Sequence, residues 1–203
     1  MRQLTYAVDA GVEVIQIRER DLEAGTLAAL VGDGMAIARG TGTRVVVNDR
    51  VDVALAGGAD GVHLRADSLP VAAVRSLAPR GFLIGRSVHS ADEATSLAQG
   101  ADYIIAGTVW PSASKPESSV LLGPGGLSAI AGAVGVPTLA IGGVTLDRVR
   151  DVAAAGAAGV AAIGLFMAEE DGAVVGSCRA EPLAERMGLA RVQFDRVRSA
   201  SLT

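Results

Sequence analysis

The chain has 203 residues and a formal net charge of −4; half of it is hydrophobic, yet only 3% is aromatic. That length suits one domain whose core is built from Ala, Val, Leu and Ile. The charge excludes an overall basic field for nucleic acid, but a local basic cluster can still hold a small phosphate.

In chain order, residues 2–10 read as a helix and 13–18 as a strand. Leu27, Leu30 and Val31 then give one apolar helical face. Strands are expected at 44–49, 61–64, 82–88, 102–108, 137–142 and 159–164, most of them continuous apolar runs rich in Val and Ile. Such runs fit parallel strands buried on both faces. Between them, Pro70 suits a helix first turn, Ser90-Ala91-Asp92-Glu93 is a capping-box start, and Thr145 is placed to cap a helix running to Ala155. A phrase of small residues, glycine and an apolar run recurs at Ala10-Gly11-Val12, Ala56-Gly57-Gly58, Gln99-Gly100-Ala101 and Ala155-Gly156-Ala157. Each copy ends a helix and leads into a strand, as in βα units. Residues 167–179 read as a loop, and 181–197 as a helix with Leu183, Met187, Leu189, Ala190 and Phe194 turned to the protein.

Strict alternation allows a (β/α)8 barrel or an open doubly wound sheet. The expected strands are one short of a closed barrel. The repeat places a strand before the opening helix, so a first strand is expected either upstream of a late start or from another segment that fills the gap. One domain is expected over 1–203, with 167–203 a helical C-terminal extension packed on the barrel. Cys178 is the only cysteine, so an internal disulfide is excluded and a reducing compartment is the default. No apolar run is long enough for a bilayer and no signal peptide follows Arg2. A cytoplasmic protein is therefore expected, with no nucleic-acid or membrane partner and with room for a homo-oligomer.

In parallel α/β folds the chemistry lies at the carboxyl ends of strands. There this chain delivers Gln16-Ile17-Arg18-Glu19-Arg20, Asn48-Asp49-Arg50, His63-Leu64-Arg65-Ala66-Asp67, Gly85-Arg86-Ser87, Ile141-Gly142-Gly143 and Ile163-Gly164-Leu165. The strand over 102–108 runs into Trp110-Pro111-Ser112-Ala113-Ser114-Lys115, whose two hydroxyls and lysine read as an anion-binding loop for phosphate. Asp49 and Asp67 end neighbouring strands; they are either helix-start aspartates or a pair joined by a cation such as Mg2+. Arg18 and Arg20 share one side of a strand and form either a phosphate clamp or a solvated turn. His63 reads as a core or supporting histidine, and Trp110 as packing at the loop base.

With these residues in hand, the sequence resembles the thiamine phosphate synthase family and its relatives, the thiazole tautomerases. The likeness runs from about Ala10 to Ala168. The family's Gln-Leu-Arg-x-Lys is similar to Gln16–Arg20, its Asn-Asp to Asn48-Asp49, and its Gly-x-Ser to Gly85-Arg86-Ser87. Its Val-His-Leu-x-x-x-Asp is matched in kind by Val62 to Asp67, ending at the aspartate. Its Phe-x-Thr-x-Thr-Lys is similar to Trp110–Lys115, and its Ile-Gly-Gly to Ile141-Gly142-Gly143.

The resemblance implies a TIM barrel that joins an aminopyrimidine pyrophosphate to a thiazole phosphate, releasing pyrophosphate. It implies Mg2+ on Asp49 and Asp67. Gln16, Arg18, Arg20, Asn48, Ser87 and Lys115 would serve the pyrimidine substrate, with Lys115, Arg18 and Arg20 catalytic. Ser112, Ser114, Gly143, Ile163 and Gly164 would hold the thiazole phosphate. The sequence departs from the pattern at Arg20 for lysine, at Arg65-Ala66 for Gly-Gln, at Ser112 and Ser114 for threonines, and at Gly164 for a serine. Two other readings remain: a tautomerase, for which Thr108 stands where a histidine base is needed, and a non-catalytic binder of thiamine precursors.

Overall fold

The computed structural model describes residues 1–112, 120–166 and 180–200, with the side chains of the last helix described over 183–197. All seven expected strands form, in strict alternation with helices. The elements are α1 (Arg2–Asp9), β1 (Val14–Ile17), α2 (Ala24–Ala38), β2 (Arg44–Asn48), α3 (Val51–Ala56), β3 (Gly61–Leu64), α4 (Val71–Leu77) and β4 (Leu83–Val88). They continue as α5 (Ala91–Leu97), β5 (Tyr103–Gly107), α6 (Gly123–Ala133), β6 (Thr138–Ile141), α7 (Val149–Ala154), β7 (Gly159–Ala161) and α8 (Ala180–Ala200). Most strands stop a residue or more before the sequence pattern ends. Arg18, Asp49, Thr108, Gly142 and Gly164 therefore belong to loops, where side chains are not committed to a ladder.

The chain divides into two compact units. The first takes residues up to Gly85 and the start of α8; the second runs from Arg86 to Phe166 and takes α8 from Arg186 on. In the first unit β1, β2 and β3 pair in parallel, with Ile17 opposite Val47 and Val47 opposite Val62. Val45, Val46 and Val47 are all fully buried, which is why β2 reads as an unbroken apolar run rather than an alternating one. Gly61 is required where β3 meets β4: a Cβ there would lie 2.3 Å from the Leu83 carbonyl oxygen. At the amino ends of the strands, the Asp60 carboxylate accepts the Val45 N–H at 2.8 Å and pairs with Arg44 at 3.0 Å.

In the second unit β5, β6 and β7 pair in parallel, with Ala106 opposite Ala140 and Ala140 opposite Val160. Their core joins Ile104, Leu127, Ile130, Val149 and Val152, with Ala190 and Phe194 of α8 packed into it. Burying each of the larger side chains contributes about 1.5–3 kcal/mol. The Ser90 cap forms, its Oγ accepting the Glu93 N–H at 3.1 Å, while Glu93 reaches past the cap residue to the His89 N–H at 2.7 Å.

Three local expectations need correction. Pro70 is the cap residue of α4, extended at ψ 142, and the first turn begins one residue later. Thr145 makes no side-chain cap, because it leads into a short 3-10 turn, Leu146–Arg148, rather than directly into an α-helix. Leu189 is 47% exposed, whereas Leu183, Met187 and Ala190 are buried. The buried set keeps to the i, i+4, i+7 stripe that Leu189 breaks. Residues 167–179, read as a loop, lie outside the described residues.

Candidate active site at the strand ends

The carboxyl ends of β1, β2 and β3 carry side-chain chemistry. Gln16 donates its amide to Asn48 Oδ1 at 2.9 Å, tying the ends of β1 and β2 together. The Asn48 amide nitrogen keeps both its hydrogens without a partner among the described residues. Arg18 and Arg20 lie exposed beyond β1 and form no ion pair among the described residues. Two exposed arginines two residues apart, neither bridged to a carboxylate, leave their guanidinium donors available. Arg50 is different: it grips Asp52 at 2.9 and 2.6 Å. The hydrogen bond and charge of Arg50 hold the Asp52 carboxyl below its usual range, and Asp52 in turn raises Arg50.

Asp49 sits in the left-handed region at φ 64, which aspartate visits more easily than most residues. That conformation turns the chain sharply out of β2, and the Asp49 N–H donates to the His63 carbonyl at 2.9 Å. His63 itself is 3% exposed, as a core or supporting histidine should be.

The partner of the Asp49 carboxylate is Ser68. Ser68 Oγ donates a short hydrogen bond to Asp49 Oδ1 and accepts the Arg65 N–H at 2.9 Å. Asp67, expected beside Asp49, instead pairs with Arg65 at 2.6 Å, and its side chain is 69% exposed. This corrects the register of the sequence match. With three residues between leucine and aspartate, the motif's aspartate position falls at 68, where this chain has serine.

The ends of β5, β6 and β7 carry mainly backbone. The Val109 N–H donates to Ile141 O at 2.9 Å and the Trp110 N–H to Gly142 O at 3.1 Å, so the β5 loop base lies against the Gly-Gly turn. Leu122 N–H returns to Thr108 O at 2.9 Å and Gly123 N–H to Val109 O at 3.0 Å, pinning both ends of the loop at one place. Gly142 and Gly143 have φ of 97 and 60. A Cβ on Gly143 would meet the Pro111 carbonyl oxygen at 2.4 Å, so only glycine allows this approach. Ser112 comes next at the loop base. Ser114 and Lys115 fall within 113–119, outside the described residues.

Ile163 is 65% exposed, and Gly164 opens a short 3-10 turn closed by Phe166 N–H on Ile163 O at 3.0 Å. A Cβ on Gly164 would meet nothing within 4 Å, so space for a side chain remains there. Ser87 lies inside β4 rather than at its end, half-buried, next to the buried Arg86. Thr108 is 8% exposed and offers no base.

Sequence reading missed two residues. Ser68 was legible by counting the motif. Arg148, which donates to Gly143 O at 2.6 Å and lies over the Trp110 ring, had no local signal.

Parallel βα units with two unpaired arginines, a bonded amide pair and a carboxylate at some strand ends, and glycine turns beside a hydroxyl at others, define a parallel α/β protein with its polar chemistry at the strand ends. The thiamine monophosphate synthase family model matches residues 1–166, and the chain belongs to that family. A thiamine-phosphate synthase of Methanoregula boonei is 42% identical over 196 residues, 96% of this chain and 89% of that protein. One from Methanospirillum hungatei is 40% identical over 166 residues, 81% of each chain. The solved thiamine phosphate pyrophosphorylase from Pyrococcus furiosus aligns with a TM-score of 0.78 at 30% identity, covering 96% of this chain and 89% of that one.

Proposed function

We infer that this chain is a transferase of thiamine biosynthesis. It would join an aminopyrimidine bearing a methylene diphosphate to a thiazole phosphate. The bond from the methylene carbon to diphosphate oxygen breaks, the thiazole nitrogen bonds to that carbon, and pyrophosphate leaves. The observation that carries the reading is the family match over 1–166, joined to unpaired Arg18 and Arg20.

Loss of diphosphate asks for neutralisation of negative charge more than for a base. Arg18, Arg20 and Lys115 supply that charge. Gln16 orients Asn48, whose free amide hydrogens and the Ser87 hydroxyl suit the pyrimidine substrate. Ser112 and Ser114, the Gly143 turn and the Ile163-Gly164 turn suit the thiazole phosphate. Thr108 cannot take a proton as a tautomerase base would, which favours the transferase.

The oxygen chemistry fits Mg2+, which needs only one or two carboxylates and completes its shell with substrate phosphates and water. Of Asp49 and Asp67, Asp49 is the better-placed carboxylate: it is held by a serine hydroxyl, whereas Asp67 is paired with Arg65 and largely exposed. Bound there, the ion would neutralise charge on the leaving diphosphate. No described cluster of three or more acidic, histidine or cysteine side chains offers a cage, so binding should need the diphosphate. The fold reading that goes with this function is a single (β/α)8 barrel domain in the cytoplasm. No helix among the described residues is long and apolar enough to cross a membrane.

The test is direct. Purified protein with both substrates and Mg2+ should form thiamine phosphate and pyrophosphate in equal amounts by chromatography. Binding of the substrates without any product would establish the non-catalytic reading instead.

A further inference from the structure

We propose that Arg148 is a positioning residue, which makes the Gly142-Gly143 turn and the base of the 109–122 loop a single unit for gripping the thiazole phosphate. The inference rests on the function proposed above and deepens it. Arg148 stands at the end of the Leu146–Arg148 turn and at the start of α7. One guanidinium nitrogen donates to Gly143 O at 2.6 Å, and the guanidinium carbon lies 5.2 Å from the Trp110 ring centroid. The same two segments meet a second time, through the Trp110 N–H on Gly142 O at 3.1 Å. They meet a third time where Gly143 leaves no room for a Cβ beside Pro111 O.

Arg148 forms no ion pair among the described residues, although Asp147 and Asp151 are close in sequence. A surface arginine placed for stability would be expected to take such a carboxylate. This one is committed to a carbonyl and an aromatic face, and so keeps its positive charge. The planar peptide adds a consequence. Holding Gly143 O fixes the plane, and the Val144 N–H must then point the opposite way. Arg148 thereby sets the direction of a backbone donor at the turn assigned to phosphate. Trp110 is two residues from Ser112, so the same guanidinium also bears on where Ser112 stands.

The experiment compares Arg148→Ala and Arg148→Lys with the parent chain by steady-state kinetics and by tryptophan fluorescence. Trp110 is the only tryptophan, so tryptophan emission reports on this one ring and its surroundings. In Arg148→Ala the KM for thiazole phosphate should rise roughly tenfold, the size of one lost charged hydrogen bond, while kcat changes less than about threefold. Lysine keeps the charge and should recover part of the loss. Adding thiamine phosphate should change the emission of the parent and leave Arg148→Ala nearly unresponsive. A merely structural role would lower the active fraction and leave KM and the fluorescence response intact; that result overturns the proposal. Should the alanine variant not fold, Arg148→Lys and Trp110→Leu carry the same comparison, and unchanged KM in both overturns it equally. If the parent makes no product but its emission still responds to thiamine phosphate through Arg148, the proposed reaction fails while this inference stands.

Discussion

The ends of β1–β3 and the ends of β5–β7 belong to the same repeat yet offer different groups to the substrates proposed. The first set offers side-chain charge: Arg18 and Arg20 exposed and unpaired among the described residues, with Asp49 held by a serine hydroxyl. The second offers fixed backbone: a Gly-Gly turn hydrogen-bonded to the β5 loop and braced by Arg148. The contrast suits the two substrates proposed. A diphosphate that must leave would be served by exposed positive side chains, whereas a phosphate that only anchors its substrate would be served by a hydrogen-bonded backbone turn.

The largest expected effect concerns leaving-group charge. Lys115→Ala should lower kcat by about 10²–10³ while the KM for thiazole phosphate moves much less, as for loss of an oxyanion contact. Unchanged turnover would remove Lys115 from the chemistry and blur the distinction between the two sets.

Next comes a pair of glycines that should behave oppositely. Gly143→Ala meets the Pro111 carbonyl and keeps a positive φ, so a cost of about 1–3 kcal/mol and a raised KM for thiazole phosphate are expected. Gly164→Ser enters open space and adds a hydroxyl donor; melting should be unchanged and the same KM should fall a few-fold. A rise in KM for Gly164→Ser would take the Ile163-Gly164 turn out of the phosphate site.

Ser68→Asp sharpens the other side. It replaces the hydroxyl on Asp49 by a second carboxylate, which repels Asp49 when no cation is present. The free protein should lose about 1 kcal/mol in denaturant melts, and Mg2+ should bind about tenfold tighter in calorimetry with pyrophosphate. Asp67→Ala should alter either quantity little; a large loss of Mg2+ binding in that variant would restore Asp67 as the partner carboxylate.

Much of this was legible in the sequence because the strands are so apolar. Apolar runs, unbroken and fully buried in β2 but only partly buried in β1 and β7, let all seven be placed. Their ends were read too long, since apolar character continues past the last ladder hydrogen bond. Arg18, Asn48, Asp49 and Gly143 were recognisable from motif order. The Ser68 contact required the turn after β3 to fold back on β2, and Arg148 acts across two loops. Neither leaves a periodic trace.

The smallest predicted effect lies outside the site. Burial, and then the nearby Asp102 charge, push the Tyr103 phenol above its ordinary value of 10.0. A raised folded pKa means its contribution to stability is complete below about pH 10 and is lost as pH rises further. Tyr103→Phe should therefore flatten the alkaline decline in melting temperature above pH 10. An identical decline in both proteins would contradict the burial of that hydroxyl.

The division of labour itself is tested most directly by calorimetry on two variants. Pyrophosphate with Mg2+, and thiazole phosphate alone, are each titrated into the parent, Arg18→Ala and Gly143→Ala. Arg18→Ala should weaken pyrophosphate about tenfold and leave thiazole phosphate unchanged; Gly143→Ala should do the reverse. Both variants weakening both ligands equally would contradict the account.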